Sequence, residues 1–262
     1  MLREKLTMII NSCDRFSDLW DAHTTLLNRY WPDREIETHI VTDAPSEKHY
    51  EGMDIFSAGE GAELSRRLHT FLPHVKTDYV LLTLDDYFLT HPVSSEKIQH
   101  IVECMELEKL DYVRLFKLPN SHKRIAGCEP LYHVNLYKSE YAVNLYVGIW
   151  RKSFLEEVIS QELNAWKFEV SLTKSARKLD ANCAMSKAKE FHILDVVRKG
   201  QLLHKANRYL KKHGLYHGSR TVIPLREEFR IFIFTLAKRI LPQKCKKFVK
   251  KKMQDAGAQF YS

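Results

Sequence analysis

Glycine is scarce in this chain of 262 residues, with nine in all, and none is arranged as GxGxxG or as GxxxxGK-S/T. That absence excludes the dinucleotide-binding fingerprint and the phosphate-cradling loop. Nine glycines with eight prolines also exclude collagen-like and low-complexity classes. Long apolar runs are missing: stretches such as Ile231 to Ala237 fall well short of the ~18–20 residues of a membrane span. Near the N-terminus, Arg3 and Lys5 precede only Met8-Ile9-Ile10 before polar Asn11-Ser12, which is no signal-peptide core. The five cysteines (Cys13, Cys104, Cys128, Cys183 and Cys245) are odd in number and form no CxxC pair. They read as reduced thiols of a cytosolic protein, with neither a zinc cage nor a disulfide framework. What is present is ordinary: 44% hydrophobic and 28% charged residues exclude a mostly disordered chain and supply a sizeable core.

The net charge of +8 is unevenly spread. Residues 201–262 carry 15 Lys and Arg against three acids, Glu227, Glu228 and Asp255, whereas the preceding 200 residues carry a net −4. A near-neutral body with a basic tail points to an anionic surface met by the tail alone. The tail also holds Phe229, Phe232, Leu236 and Ile240 at helical spacing, among Arg226, Arg230, Lys238 and Arg239. Pro242 then breaks the pattern, and Lys244 to Lys252 adds six lysines. Nucleic acid has little use for so much aliphatic surface, and no helix-turn-helix, zinc-finger or RNP-type motif is present. A peripheral position on the cytoplasmic face of an anionic membrane fits better. The plain alternative is a helix packed on the body with a solvated lysine tail.

Apolar periodicity predicts the architecture. Leu6 to Ile10 reads as a strand, the segment opened by Asp18-Leu19-Trp20 and running to Tyr30 as a helix, Thr38 to Val41 as a strand, Gly59 to Phe71 as a helix and Tyr79 to Leu84 as a buried strand. Strand and helix in alternation imply an α/β fold with a doubly wound, mostly parallel sheet, Rossmann-like in its winding. We place a catalytic domain at 1–205 and a basic amphipathic helical extension at 206–262.

In such sheets ligands bind at the carboxyl ends of strands, near the reversal of strand order. Ser12-Cys13-Asp14, Thr42-Asp43 and Asp85-Asp86 stand at those ends. A single Asp there is a common turn residue; a pair closing a six-residue apolar run and followed by Tyr87-Phe88 points further. Acids at the strand ends with no glycine cradle suggest that a phosphorylated ligand is held through a divalent cation.

The run from Asp78 to Phe88, Asp-Tyr-x5-Asp-Asp-Tyr-Phe, resembles the segment of GT-A-type nucleotide-sugar glycosyltransferases that carries their DxD-like motif. Gly148-Ile149-Trp150-Arg151-Lys152, followed by Asn164-Ala165-Trp166-Lys167-Phe168-Glu169, resembles bacterial glycosyltransferases of capsule and lipopolysaccharide pathways. There a G-I-W-R/K stretch precedes a P-W-x-F-E helix start. The resemblance spans about residues 5–205, and Ala165 stands where that pattern has Pro. It implies a GT-A-like fold and sugar transfer from a nucleotide-sugar donor to a saccharide or lipid-linked saccharide.

Such a transfer needs stabilisation of the leaving diphosphate and, with inversion, a group that takes the acceptor's proton. Asp85 and Asp86 are the candidates for the first demand. Ser12, Asp14 and Asp43 are candidate contacts to base and ribose, and Arg66 a candidate donor contact. Glu169 is the candidate base, although a first-turn acid can equally serve the helix dipole. Gly148, Trp150 and Trp166 are the candidate acceptor platform, with a core role the alternative for Trp150. In metal-dependent relatives a late His completes the coordination, which nominates His204. The acidic pair is adjacent rather than spaced as D-x-D, so Mn or Mg dependence stays open, as does the choice between inversion and retention. A nucleotidyltransferase acting on sugar phosphates is the alternative, weakened by the glycine-free segment Asn11 to Phe16.

Overall fold

The computed structural model describes residues 1–116, 123–138, 141–159 and 165–240. Asn164, Pro242, Cys245 and Lys244 to Lys252 lie outside the described residues, as do the side chains of Trp166, Phe232, Leu236, Lys238, Arg239 and Ile240. The strands are β1 (Leu6–Asn11), β2 (Thr38–Thr42), β3 (Asp54–Ser57), β4 (Tyr79–Leu84), β5 (Tyr87–Leu89), β6 (Tyr112–Arg114), β7 (Leu131–His133), β8 (Gly148–Arg151), β9 (Cys183–Ser186), β10 (Ile193–Asp195), β11 (Val197–Arg198) and β12 (Gln201–Leu202). The helices are α1 (Trp20–Tyr30), α2 (Leu64–Phe71), α3 (Ser95–Leu107), α4 (Lys152–Val158), α5 (Ala165–Lys178), α6 (His204–His213) and α7 (Leu225–Ile240).

Eight strands form one sheet in the order β3-β2-β1-β4-β8-β6-β9-β7. β1 pairs in parallel with both β2 and β4, β2 with β3, and β6 with β9, whereas β8 and β7 run antiparallel to their neighbours. The fold is therefore α/β with a mostly parallel sheet, as the strand and helix alternation leads one to expect. β1 is buried along its whole length, and its side chains alternate between two cores. Leu6, Met8 and Ile10 face a layer holding Trp20 and Leu27 of α1 and Ile98, Ile101 and Met105 of α3. Ile9, with Val80 and Leu82 of β4, faces Leu64, Leu68 and Phe71 of α2 and Phe168 and Leu172 of α5. Both faces of the parallel half are covered, which is why its strands read as continuous apolar runs.

Two local departures have simple causes. α2 starts at Leu64 and not at Gly59, because Gly59 and Gly61 hold φ values of 102° and 71°, a left-handed backbone that a helix cannot contain. β3, four partly exposed residues at the sheet edge, has too short a pattern to register in the sequence.

The chain divides into two compact units, Met1–Leu194 and Asp195–Ser262. Within the second, β11 and β12 form an antiparallel hairpin, and α6 ends on Gly214 at a φ of 61°, the usual left-handed glycine cap. No helix among the described residues is long and apolar enough to cross a membrane.

Candidate functional site

From β1 the chain moves outward to β2 and β3, then returns to lay β4 on the other side of β1. The carboxyl ends of β1 and β4 thus flank the point where strand order reverses, where a crevice opens in folds of this kind. Asn11 and Leu84 are register partners at that end, so the residues just beyond them meet. Ser12 Oγ donates a hydrogen bond to Asp85 Oδ2 and accepts one of 2.6 Å from Trp20 Nε1. His23 Nδ1 lies 3.1 Å from the Asp85 carbonyl oxygen, and its ring meets Phe88 edge-on with centroids 5.5 Å apart. Burial lowers the His23 pKa to about 4, so at neutral pH the ring is uncharged, with Nδ1–H the donor to that carbonyl. Asp85 is consequently tied to β1 and α1 through side chain and backbone, while Asp86 beside it is half-buried.

The end of β2 is stapled to the same place. Asp43 Oδ1 accepts from the Asp14 backbone N–H at 2.7 Å and from Thr42 Oγ1 at 3.3 Å. Ser12, Asp14, Asp43, Asp85 and Asp86 are therefore brought to one sheet edge, and all five were nominated from the sequence.

Arg66 and Arg67 stand on different faces of α2. Arg66 is exposed, and its neighbour Arg67 is the arginine at the strand ends. Arg67, 8% exposed, donates from Nε to Asn11 Oδ1 at 3.0 Å and from Nη1 to the Ala62 carbonyl at 2.6 Å. Asn11 Nδ2 completes the link to the Leu64 carbonyl at 3.2 Å. Burial lowers the Arg67 pKa, and Cys13, Asp43, Asp85 and Glu63 oppose that shift; an arginine remains cationic there. The Cys13 thiol is raised by burial and by Asp85. The signal for Arg67 was available in the helical period. One residue advances a helix by about 100°, so Arg67 shares the inward face of Leu64, Leu68 and Phe71, and Arg66 does not.

Two acceptor candidates are corrected. Trp150 is 0% exposed, packed between Tyr112, at a centroid distance of 4.4 Å, and Phe154, at 6.0 Å. It is a core residue with no ring face open to a sugar. Gly148 serves close packing: a Cβ there would stand 2.7 Å from Tyr112 Cε2 and 3.1 Å from the Val113 carbonyl oxygen, so only glycine fits. The motif at 148–151 is thus a strand built around the Tyr112 ring.

Glu169 lies in the second turn of α5 and is half-buried. Its charge acts on Arg114 and Tyr112 of β6. Arg114 is buried, and burial lowers its pKa against the opposing pull of Tyr112, Tyr146, Glu169 and Tyr87. His204 opens α6 in the second unit, with Nδ1 2.5 Å from Glu228 Oε2. Among the described residues no group of three or more His, Cys, Asp and Glu side chains gathers as a metal cluster. Two adjacent carboxylates do suit an ion that takes its other ligands from phosphates and water.

No protein-family model matches the chain, and no curated protein does. Among solved structures it is similar to S. aureus TarS 1–349, with a TM-score of 0.48 and 14% identity over 70% of this chain and 58% of that one. The same TarS fragment in complex with UDP-GlcNAc gives 0.46 and 13% over 76% and 60%. The bifunctional IspDF from Campylobacter jejuni gives 0.43 and 12% over 73% and 52%. The chain thus spans between 52% and 60% of the length of these structures. At such identities and TM-scores the likeness assigns no activity, and the α/β class rests on the strand order itself.

Proposed function

We propose that the chain is a glycosyltransferase that moves a sugar from a nucleotide-sugar donor to a saccharide or lipid-linked saccharide acceptor, with inversion. The observation that carries this reading is the meeting of Ser12, Asp43, Arg67 and the Asp85-Asp86 pair at the strand-order reversal, with no glycine cradle for phosphate. Base and ribose fit the ends of β1 and β2, where hydrogen-bonding groups and Asp14 and Asp43 stand. In the reaction the acceptor oxygen bonds to the anomeric carbon while the carbon–oxygen bond to the diphosphate breaks. Glu169 takes the acceptor hydroxyl proton, and the electron pair leaves with the diphosphate. A Mn or Mg ion held by Asp85 and Asp86 together with the donor phosphates would neutralise the charge that develops there. Arg67, buried and cationic, adds fixed positive charge that acts on Asp43 and Asp85.

The sequence resemblance supports a role in bacterial capsule or lipopolysaccharide synthesis, where the acceptor is presented at the cytoplasmic face of a membrane. Within α7, Leu225, Phe229 and Ile233 are exposed at i, i+4 and i+8, with Arg226 and Arg230 beside them, a pattern suited to the boundary of an anionic bilayer. Full-length protein should sediment with anionic vesicles and lose most of that binding in Phe229→Asp/Ile233→Asp. Binding indifferent to lipid charge or to the double variant removes the membrane assignment.

The test of the activity is the product released. UDP-GlcNAc, bound by the TarS fragment, heads a panel of UDP- and GDP-sugars for incubation with the enzyme. Release of UDP or GDP supports sugar transfer. Release of pyrophosphate from a nucleoside triphosphate and a sugar phosphate, without nucleoside diphosphate from any donor, overturns it in favour of nucleotidyl transfer.

A further inference from the structure

Beside the carboxylate pair, three aromatic rings gather that the sequence motifs do not single out as a set. Tyr87 opens β5 directly after Asp86. Phe116 lies two residues beyond Arg114, the last residue of β6, and Tyr146 two residues before Gly148, the first of β8. Arg114 and Gly148 are register partners, so the two strand ends carry Phe116 and Tyr146 together. Their ring centroids are 4.3 Å apart, and Tyr87 and Tyr146 are 5.0 Å apart. The Arg114 guanidinium lies 4.9 Å from the centre of the Phe116 ring, and its Nη1 is fixed by a 2.9 Å bond to the Tyr141 carbonyl. The cation beneath the ring and the antiparallel pairing behind it hold this cluster in place.

Tyr87 and Tyr146 pack against the hydrophobic core, yet the cluster is not sealed over. Here Phe116 is 39% exposed, and Tyr87 and Tyr146 are half-buried. A run of partly open rings edged by two phenol hydroxyls matches one ligand chemistry well. A pyranose ring carries a flat apolar C–H face, which aromatic faces cover, and a rim of hydroxyls, which phenols can meet. Glu169 belongs to the same neighbourhood through its charge on Arg114.

We propose that Tyr87, Phe116 and Tyr146 form the subsite for a pyranose ring of the acceptor. It takes the place of the buried Trp150 as the sugar platform, and it rests on the reading of the site as one for nucleotide-sugar transfer. The experiment uses the full chain with methyl β-D-glucopyranoside, methyl β-D-galactopyranoside and methyl N-acetyl-β-D-glucosaminide as probes. Each is followed by saturation-transfer NMR with and without UDP, and UDP binding is titrated separately by calorimetry. At least one glycoside should receive saturation, strongest on its ring C–H protons. Phe116→Leu, which keeps apolar bulk and removes the flat face, should weaken that binding about tenfold, as should Tyr146→Leu, whereas Phe116→Tyr should retain it. UDP affinity should be the same in all three variants. Absence of saturation from every glycoside in the unaltered protein, or equal saturation in both Leu variants, overturns the proposal. Saturation that is lost in the Leu variants while UDP never binds leaves the sugar platform standing and fells the nucleotide reading instead.

Discussion

The two halves of the central sheet are built to different rules. In β3-β2-β1-β4 every neighbour is parallel, and β1 and β4 each run for six residues. In β8-β6-β9-β7 direction changes at two of the three joints, and the strands are three or four residues long. The parallel half ends in an interlocked polar set: Trp20 to Ser12 to Asp85, His23 to the Asp85 backbone, and Arg67 to Asn11. The mixed half ends in aromatic rings around a buried Arg114. A fixed, hydrogen-bonded edge suits a ligand with constant parts, such as a nucleoside diphosphate; an aromatic edge suits a sugar acceptor, bound by ring faces with few directional bonds.

Glu169→Gln gives the largest expected effect on the mixed half. It should lower kcat by about 10²–10⁴, the usual weight of a general base, and leave donor affinity unchanged. A change within a few-fold leaves Glu169 no part in proton transfer and moves the base elsewhere.

On the parallel half, His23 provides a pH signature. Its pKa of about 4 in the folded protein lies below the ordinary value of 6.5, so the unfolded chain binds the proton more readily. The stabilisation is complete above pH 6.5 and is lost as pH falls from there toward 4, to a total of roughly 3 kcal/mol. His23→Asn, which keeps a donor for the Asp85 carbonyl, should remove that part of the acid sensitivity. Urea unfolding at pH 7.5, 5.5 and 4.5 reads the difference, and parallel curves for the two proteins would reject it.

The smallest contrast lies within α2. Arg67→Met strands the Asn11 side-chain oxygen and the Ala62 carbonyl, at a cost of about 1–3 kcal/mol. Arg66→Met on the exposed face should stay within about 0.5 kcal/mol. Equal losses would mean that the inward face of the helix is wrongly drawn.

The parallel half was largely legible in the sequence because burial on both faces writes continuous apolar runs, and because ligands in such sheets gather at strand ends. Asp85, Asp86, Ser12 and Asp43 followed from those two facts. Arg67 was missed by one residue although the spacing of Leu64, Leu68 and Phe71 fixes its side of the helix. The mixed half was opaque for a physical reason: strands as short as Tyr112–Arg114 show no periodicity, and their partners lie far along the chain. Trp150 illustrates the cost. An aromatic in a motif suggests a sugar platform, but alternation along β8 turns it toward Tyr112 and Phe154. Of the rings that stay open, Phe116 and Tyr146 come together through the pairing of β6 with β8, and Tyr87 joins them through the pairing of β4 with β8.

In the proposed function the carboxyl ends of β1 and β4 bind a nucleotide through Asp85 and Asp86. Thermal unfolding of the full chain with UDP, GDP and CMP, each with and without Mn²⁺, tests it most directly alongside Asp85→Asn and Asp86→Asn. A nucleotide at 100 times its Kd stabilises the folded state by about 2.7 kcal/mol. The expected result is a clear rise in Tm for at least one nucleotide with the unaltered protein, and its loss in both variants, whose own Tm values stay close to the parent's. An undiminished rise in both variants, or no rise with any nucleotide, would contradict the claim.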